Sequence, residues 1–110
     1  MKTKFRLRRS ADFRAVRAER AAAGDEVLQV QLRPNSLGHA RVGVVVPKRL
    51  GNAVARNRSR RRVQALVRGQ LPRLGPYDLV LLPGATAGKV GATVLADSMT
   101  RALTRLGATR

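Results

Sequence analysis

The chain has no cysteine and no tryptophan, a single histidine, three aromatic rings of the Phe and Tyr type, and only six acidic residues among 110. Without cysteine there can be no disulfide and no thiolate metal site, and one histidine cannot build a histidine-rich metal centre. A reducing cytoplasm is the location expected from this. The longest apolar runs, VGVVVP and LVLLP, fall far short of the roughly 18 residues that span a bilayer, so no membrane association is expected. Side-chain catalysis would need an acid–base pair, an activated nucleophile or a metal cluster, and the carboxylates supply none of these. Only Asp25 and Glu26 are adjacent, at an expected turn where neighbouring side chains diverge, and they read as solvated loop residues. His39 reads as an exposed turn residue. GATAGKVGAT, from residue 84, has a superficial likeness to a phosphate-binding loop, but its spacing is wrong and Val90 rather than Ser or Thr follows Lys89.

What the chain does have is positive charge. Lys and Arg number 23 against six Asp and Glu, a formal net charge of +17, and such self-repulsion calls for a polyanionic partner, nucleic acid first of all. Nineteen of the 23 are Arg, whose planar fork grips phosphate bidentately and stacks on bases. The 44% hydrophobic composition suffices for one small core, so a single domain over 1–110 is expected. The first 23 residues are Arg-rich, as in an organellar targeting segment, but Asp12 and Glu19 interrupt the bias and the stretch reads as a structured helix.

Ser10 is the expected N-cap of a short first helix, with Phe13, Val16 and Ala21 along one side. VLQVQLR, residues 27–33, alternates as a half-buried strand with Leu28, Val30 and Leu32 on one face and Gln29, Gln31 and Arg33 on the other. Pro34, Asn35, Ser36 and Gly38 make a turn, and ARVGVVVP at 40–47 is a second strand, so the two are expected to pair as an antiparallel hairpin. A long helix runs from Asn52 to about Gln70. Tyr77–Pro83 is a strand whose run of Leu79, Val80, Leu81 and Leu82 implies burial on both faces. Glycines 84, 88 and 91 suggest a mobile connection to a last helix striped by Leu95, Met99, Leu103 and Leu106.

The long helix holds the densest charge: GNAVARNRSRRR, residues 51–62, has five arginines in seven positions. At 100° per residue, Val63, Leu66 and Val67 share a face that runs back to Ser59 and Arg56, so the apolar stripe stops halfway. Arg58, Arg61, Ala65 and Arg68 lie opposite, with Arg60 and Arg62 flanking the stripe. Like charges three or four residues apart, such as Arg56 with Arg60, oppose the helix by about 0.2–0.5 kcal/mol each. Cations in a first turn also face the positive end of the helix dipole, at about 0.3–1 kcal/mol. The segment is therefore built for a partner rather than for the free fold. Ser59 has two uses open to it, a bond to phosphate or one to its own helix.

RVGVVVPKRLGNAVARNRSRRRVQALVR, residues 41–68, resembles the signature of the protein component of bacterial ribonuclease P, a Gly-Asn-Ala-Val-x-Arg-Asn-Arg segment opening a helix after a Val-rich strand. RLRRSADFRAVR, residues 6–17, is similar to that family's first helix, and PYDLVLLP, residues 76–83, to its last strand. The resemblance implies an α+β fold, a two-layer α/β sandwich ordered αβββαβα with a left-handed crossover, as in the second domain of ribosomal protein S5. It adds a short strand near residues 20–23 that the residues alone do not announce.

The same resemblance implies a partner of a catalytic RNA that removes the 5′ leader from precursor tRNA, one protein per catalytic RNA, with Mg2+ held mainly by RNA and no catalytic residue on the protein. Position by position, Arg56, Asn57, Arg58, Arg60, Arg61 and Arg62, with Lys48 and Arg49 before them, become the contacts to the catalytic RNA. Phe13, Arg17 and Gln29 become the contacts to the leader. Phe13 reads equally as a core residue of its helix. Arg17 and Gln29 stand where relatives often carry aromatics, which shifts leader binding toward Arg and amide contacts. Gly84 and Ala85 stand where relatives often have basic residues. The residues without the resemblance say only nucleic-acid-binding module; a ribosomal protein or general RNA chaperone is the alternative, and a DNA-binding protein ranks third.

Overall fold

A computed structural model describes residues 2–110. An unbroken apolar strand has to be covered on both faces, and the sheet is arranged around that requirement. The elements are α1 (Ser10–Glu19), β1 (Ala21–Gly24), β2 (Leu28–Pro34), β3 (Arg41–Val44), α2 (Ala53–Gln70), β4 (Tyr77–Pro83) and α3 (Ala92–Leu106), with single 3-10 turns at Thr3–Phe5, Lys48–Leu50 and Leu71–Arg73. The order αβββαβα is the one the resemblance implied. The strand order is β1-β2-β4-β3, so β4, with Leu79, Val80 and Leu81 buried, is interior.

This corrects one expectation. β2 and β3 do not pair as a hairpin: β4 lies between them, antiparallel to β2 and parallel to β3. The reason is electrostatic as well as apolar. Arg33 of β2 and Arg41 of β3 both stand in register with Asp78 of β4, so inserting β4 places a carboxylate between two cations. Asp78 is fully buried and accepts from Arg41 at 2.8 and 2.7 Å, from Arg33 at 3.2 Å and from Asn35 at 2.9 Å. Burial alone would raise its pKa, but the hydrogen bonds from Arg41 and Asn35 and the charge of Arg41 outweigh that and hold the carboxyl below its ordinary value. Asp12 of α1 approaches Arg33 at 3.4 Å and Arg41 at 3.6 Å, tying the helix to this end of the sheet.

Leu28, Val30 and Leu32 share one face of the sheet with Leu79, Leu81 and Val42, and there they meet Val63 and Val67 of α2 and Leu95, Met99 and Leu103 of α3. Among the described residues α1 is the helix on the other face; its Val16 packs with Val80 and Leu7 while Phe13 and Leu82 lean against them. At about 1.5–3 kcal/mol per fully buried large apolar side chain, the α2–α3 side supplies most of the stabilisation, and α1 covers its face in part.

Three smaller expectations also change. Ser10 is the first helical residue rather than the cap; Arg9 occupies the cap position and bonds no backbone N–H with its side chain. Ala21 belongs to β1 and not to α1, because Arg20 turns the chain left-handed at φ 58° and ends the helix. The 84–91 connection is tied down: Gly84 N–H donates to Val27 O at 2.8 Å, Ala87 is buried, and Arg62 holds the turn.

Candidate nucleic-acid interface

The chain enters α2 through a fixed corner. Lys48 and Arg49 lie exposed on a 3-10 turn. Gly51 then takes φ 138°, a value side chains rarely adopt, and Asn52 caps the helix by accepting from Ala55 N–H at 2.9 Å. The helix spans Ala53–Gln70, in agreement with the sequence pattern. Val54 in its first turn is 79% exposed, an apolar residue with no core beneath it.

The arginines of this helix divide by direction. Arg58 and Arg61 are exposed and point away from the sheet, and neither pairs with a carboxylate: every ion pair among the described residues uses Arg33, Arg41 or Arg101. Arg56 continues the line of Val63 toward the sheet, and its Nε is buried with no hydrogen-bond partner. Arg60 donates to Asn57 Oδ1 at 2.9 Å along the helix surface. Arg62 is turned inward, donating to Ala87 O at 2.8 Å and Val90 O at 2.6 Å. Ser59 is buried against the same turn, where a Cβ on Gly88 would stand 2.9 Å from its Oγ.

The residues expected to meet the leader are not gathered in one place. Phe13 is half-buried and lies against Gly43, where any added Cβ would come within 2.6 Å of two ring carbons. It lines a cleft of about 300 Å3 together with Arg6, Arg60, Gln64 and Arg68. Gln29 opens instead on a hollow of about 320 Å3 shared with Arg49, Leu82 and Ala85. Arg17 is exposed on α1 and lines neither. Arg6 and Gln64 carry no role in the sequence pattern, and Arg68, grouped there with the outward Arg58 and Arg61, also reaches this cleft; Arg60, Gln64 and Arg68 recur every four residues and so share a side of the helix.

Two polar residues read as loop features have defined partners. Asp25 accepts from Ser98 Oγ at 2.7 Å, from Arg101 at 3.0 Å and from the backbone N–H groups of Val27 and Leu28. The Ser98 hydroxyl first, then Arg101 and the two amides, overcome partial desolvation and bring its pKa from 3.8 to about 2. It fastens α3 to the start of β2. His39 is half-buried rather than exposed, edge-on to Phe5 with ring centroids 5.4 Å apart.

A family model described as Ribonuclease P matches residues 1–107. The chain belongs to the ribonuclease P protein family. It is 42% identical to the ribonuclease P protein component of Ruegeria pomeroyi over 93% of this chain and 86% of that one, and 36% identical to that of a Roseiflexus species over 97% and 89%. Among solved structures, the ribonuclease P protein of Staphylococcus aureus superposes with a TM-score of 0.86 at 21% identity, covering 96% of this chain and 98% of that one. That of Thermotoga maritima gives 0.79 at 26% identity, covering 87% and 94%. The fold is therefore that of the ribonuclease P proteins, and the chain is a protein component of that enzyme, which acts in tRNA processing. The family match decides against the ribosomal-protein and RNA-chaperone alternatives.

Proposed function

We propose that this chain docks on the catalytic RNA of ribonuclease P through the outward face of α2 and helps that RNA bind precursor tRNA by its 5′ leader. The observation that carries the reading is the unpaired state of Arg58 and Arg61, exposed as Lys48 and Arg49 are, with no ion pair to a carboxylate among the described residues. A fold that supplies Asp12, Asp25 and Asp78 to other arginines leaves these for phosphate. Asn57 borders the same face, whereas Arg56 lies on the sheet side with its Nε buried. Arg62 supports it by holding the 84–91 turn against the helix. Phe13, Arg17 and Gln29 meet the leader, by ring, guanidinium and amide contacts respectively.

In this reading the RNA cuts the phosphodiester bond, and the protein supplies no acid, base or nucleophile. Asp12, Asp25 and Asp78 are committed to arginines, and the assignment of Mg2+ to RNA ligands rests on the family resemblance. One protein acts per catalytic RNA, in the cytoplasm, where the precursor is made. No helix is long and apolar enough to cross a membrane among the described residues.

Reconstitution with a bacterial ribonuclease P RNA at low magnesium tests the proposal. Cleavage of precursor tRNA should rise on adding the protein, and Arg58→Ala with Arg61→Ala should abolish most of that rise. Cleavage that ignores the protein would end the proposal.

A further inference from the structure

Lys4 and His39 each line two adjoining hollows of opposite character at the Asp78 end of the sheet. The first, about 740 Å3, is basic, with Lys4, Arg6, Arg8 and Arg9 of the chain before α1 in its wall. The second, about 370 Å3, is mostly apolar: Phe5, Ala40, Leu71, Pro72 and Leu74 line it, with Arg68 from the last turn of α2. Both are held from outside. Asn35 donates to His39 O at 3.2 Å and to the buried Asp78 at 2.9 Å, which fixes the 35–39 turn. Arg110 straps the other side, donating to Leu74 O at 3.1 Å and to Gly38 O at 2.9 Å. Where the hollows meet, the Phe5 ring stands edge-on to His39 with Lys4 Nζ 4.8 Å from its centroid.

Asp12 is the one acid in either lining among the described residues, and it is already shared between Arg33 and Arg41. Lys4, Arg6, Arg8, Arg9 and Arg68 are exposed, and among the described residues none of them pairs with a carboxylate. The chemistry that fits both hollows at once is an anion with an apolar, flat body attached. An unpaired nucleotide divides in this way: single-stranded RNA is recognised by a base splayed onto an aromatic side chain while its backbone meets cations. The apolar hollow, about 370 Å3, lies near the small end of ligand pockets, about 300–1,000 Å3. It has room for one base and not for a duplex.

Position decides which RNA supplies that nucleotide. Phe13, Arg17 and Gln29, assigned to the leader, line neither hollow, and Gln29 stands in register with Leu82, at the other end of β4 from Asp78. Arg68 lies on the side of α2 that carries Arg58 and Arg61, ten residues beyond Arg58 and so about 15 Å further along the axis. An RNA laid on that side runs onto the apolar hollow. Resting on the docking role above, we infer that the two hollows take one unpaired nucleotide of the catalytic RNA. Its base lies against Phe5 in the apolar hollow, and its phosphates meet Lys4 and Arg8 in the basic one. The docking surface then extends from the first turns of α2 past the C-terminal end of that helix.

The test measures binding of the full chain to a bacterial ribonuclease P RNA with no tRNA present. Phe5→Leu keeps apolar bulk and removes the ring. It should weaken binding about fivefold or more, the stacking of one base, at unchanged melting temperature and salt slope, and Phe5→Trp should restore the affinity. Lys4→Gln with Arg8→Gln should weaken binding and lower the log–log salt slope by about 1.4, two single-strand phosphate contacts. In the holoenzyme with precursor tRNA bound, a benzophenone side chain in place of Phe5 should crosslink to an unpaired nucleotide of the catalytic RNA. Crosslinking to the precursor tRNA instead, or to no RNA, would overturn the inference. So would full affinity of the Phe5→Leu protein for the catalytic RNA. Failure of the docking role registers elsewhere, as full affinity of the Arg58→Ala, Arg61→Ala protein, whereas the hollows stand or fall on Phe5.

Discussion

Arginine is used in two opposite ways at the two ends of this sheet. At the Asp78 end, Arg33 and Arg41 are each drawn to a carboxylate with no exposure at all, with Asp12 closing the group from α1. Along α2, Arg58 and Arg61 stand in water with no acid near them, and Arg60 shares its charge only with an amide. The first group sets strand order; the second sets nothing in the fold and costs it some repulsion. The teaching is that +17 describes the whole chain but not its binding surface: what marks a basic residue for an external partner is the absence of an internal one.

That contrast can be broken from either side. Removing the shared acid, Asp78→Ala, strands two partly buried guanidinium groups and should cost about 3–5 kcal/mol, as breaking buried ion pairs does. Urea denaturation reads the loss, and the protein that remains folded should bind catalytic RNA as before. Next in size is Arg58→Ala with Arg61→Ala. It should leave the melting temperature level or slightly higher, since like-charge repulsion of about 0.2–0.5 kcal/mol per pair is relieved. Its affinity for the catalytic RNA should fall, with the salt slope reduced by about 1.4–1.8.

Arg62→Ala lies between the two uses, because its fork holds backbone carbonyls. About 1–2 kcal/mol of stability should go with those hydrogen bonds, with faster amide exchange at Ala87–Val90 as the sharper signature. The smallest effect is acid sensitivity at Asp25. Its pKa is depressed from 3.8 to about 2, so it contributes stability that is complete above about pH 4 and is lost as the pH falls through 2. Asp25→Asn should flatten that part of the acid-unfolding curve and leave neutral-pH RNA binding alone.

The elements legible in the sequence were those whose pattern is set by burial. The unbroken run of β4, the alternation of β2 and the four-residue stripe of α3 each report a face pressed on a core. β1 was invisible to pattern because Ala21–Gly24 is four small residues with no alternation. Nearness in sequence suggests a β2–β3 hairpin, whereas the partner of both strands arrives more than 30 residues later. Asp78, the lone acid of its strand, was the available signal. In the site, the helical wheel separated outward arginines from the apolar stripe, but it could not show that Arg62 would find carbonyls in the 84–91 turn. Nor could it bring Arg6 across to Arg68.

The parallel pairing of β3 with β4 also sets an order of events during synthesis. β1 and β2 can meet as soon as both have left the ribosome, but among the described residues the one strand paired with β3 is β4, so apart from its bridge to Arg6 it must wait through the whole of α2. Closing that loop is slow relative to local pairing. The arginine helix therefore emerges before the sheet it will pack on is complete. A nascent chain of this protein presents its exposed arginine helix while its own centre is still missing.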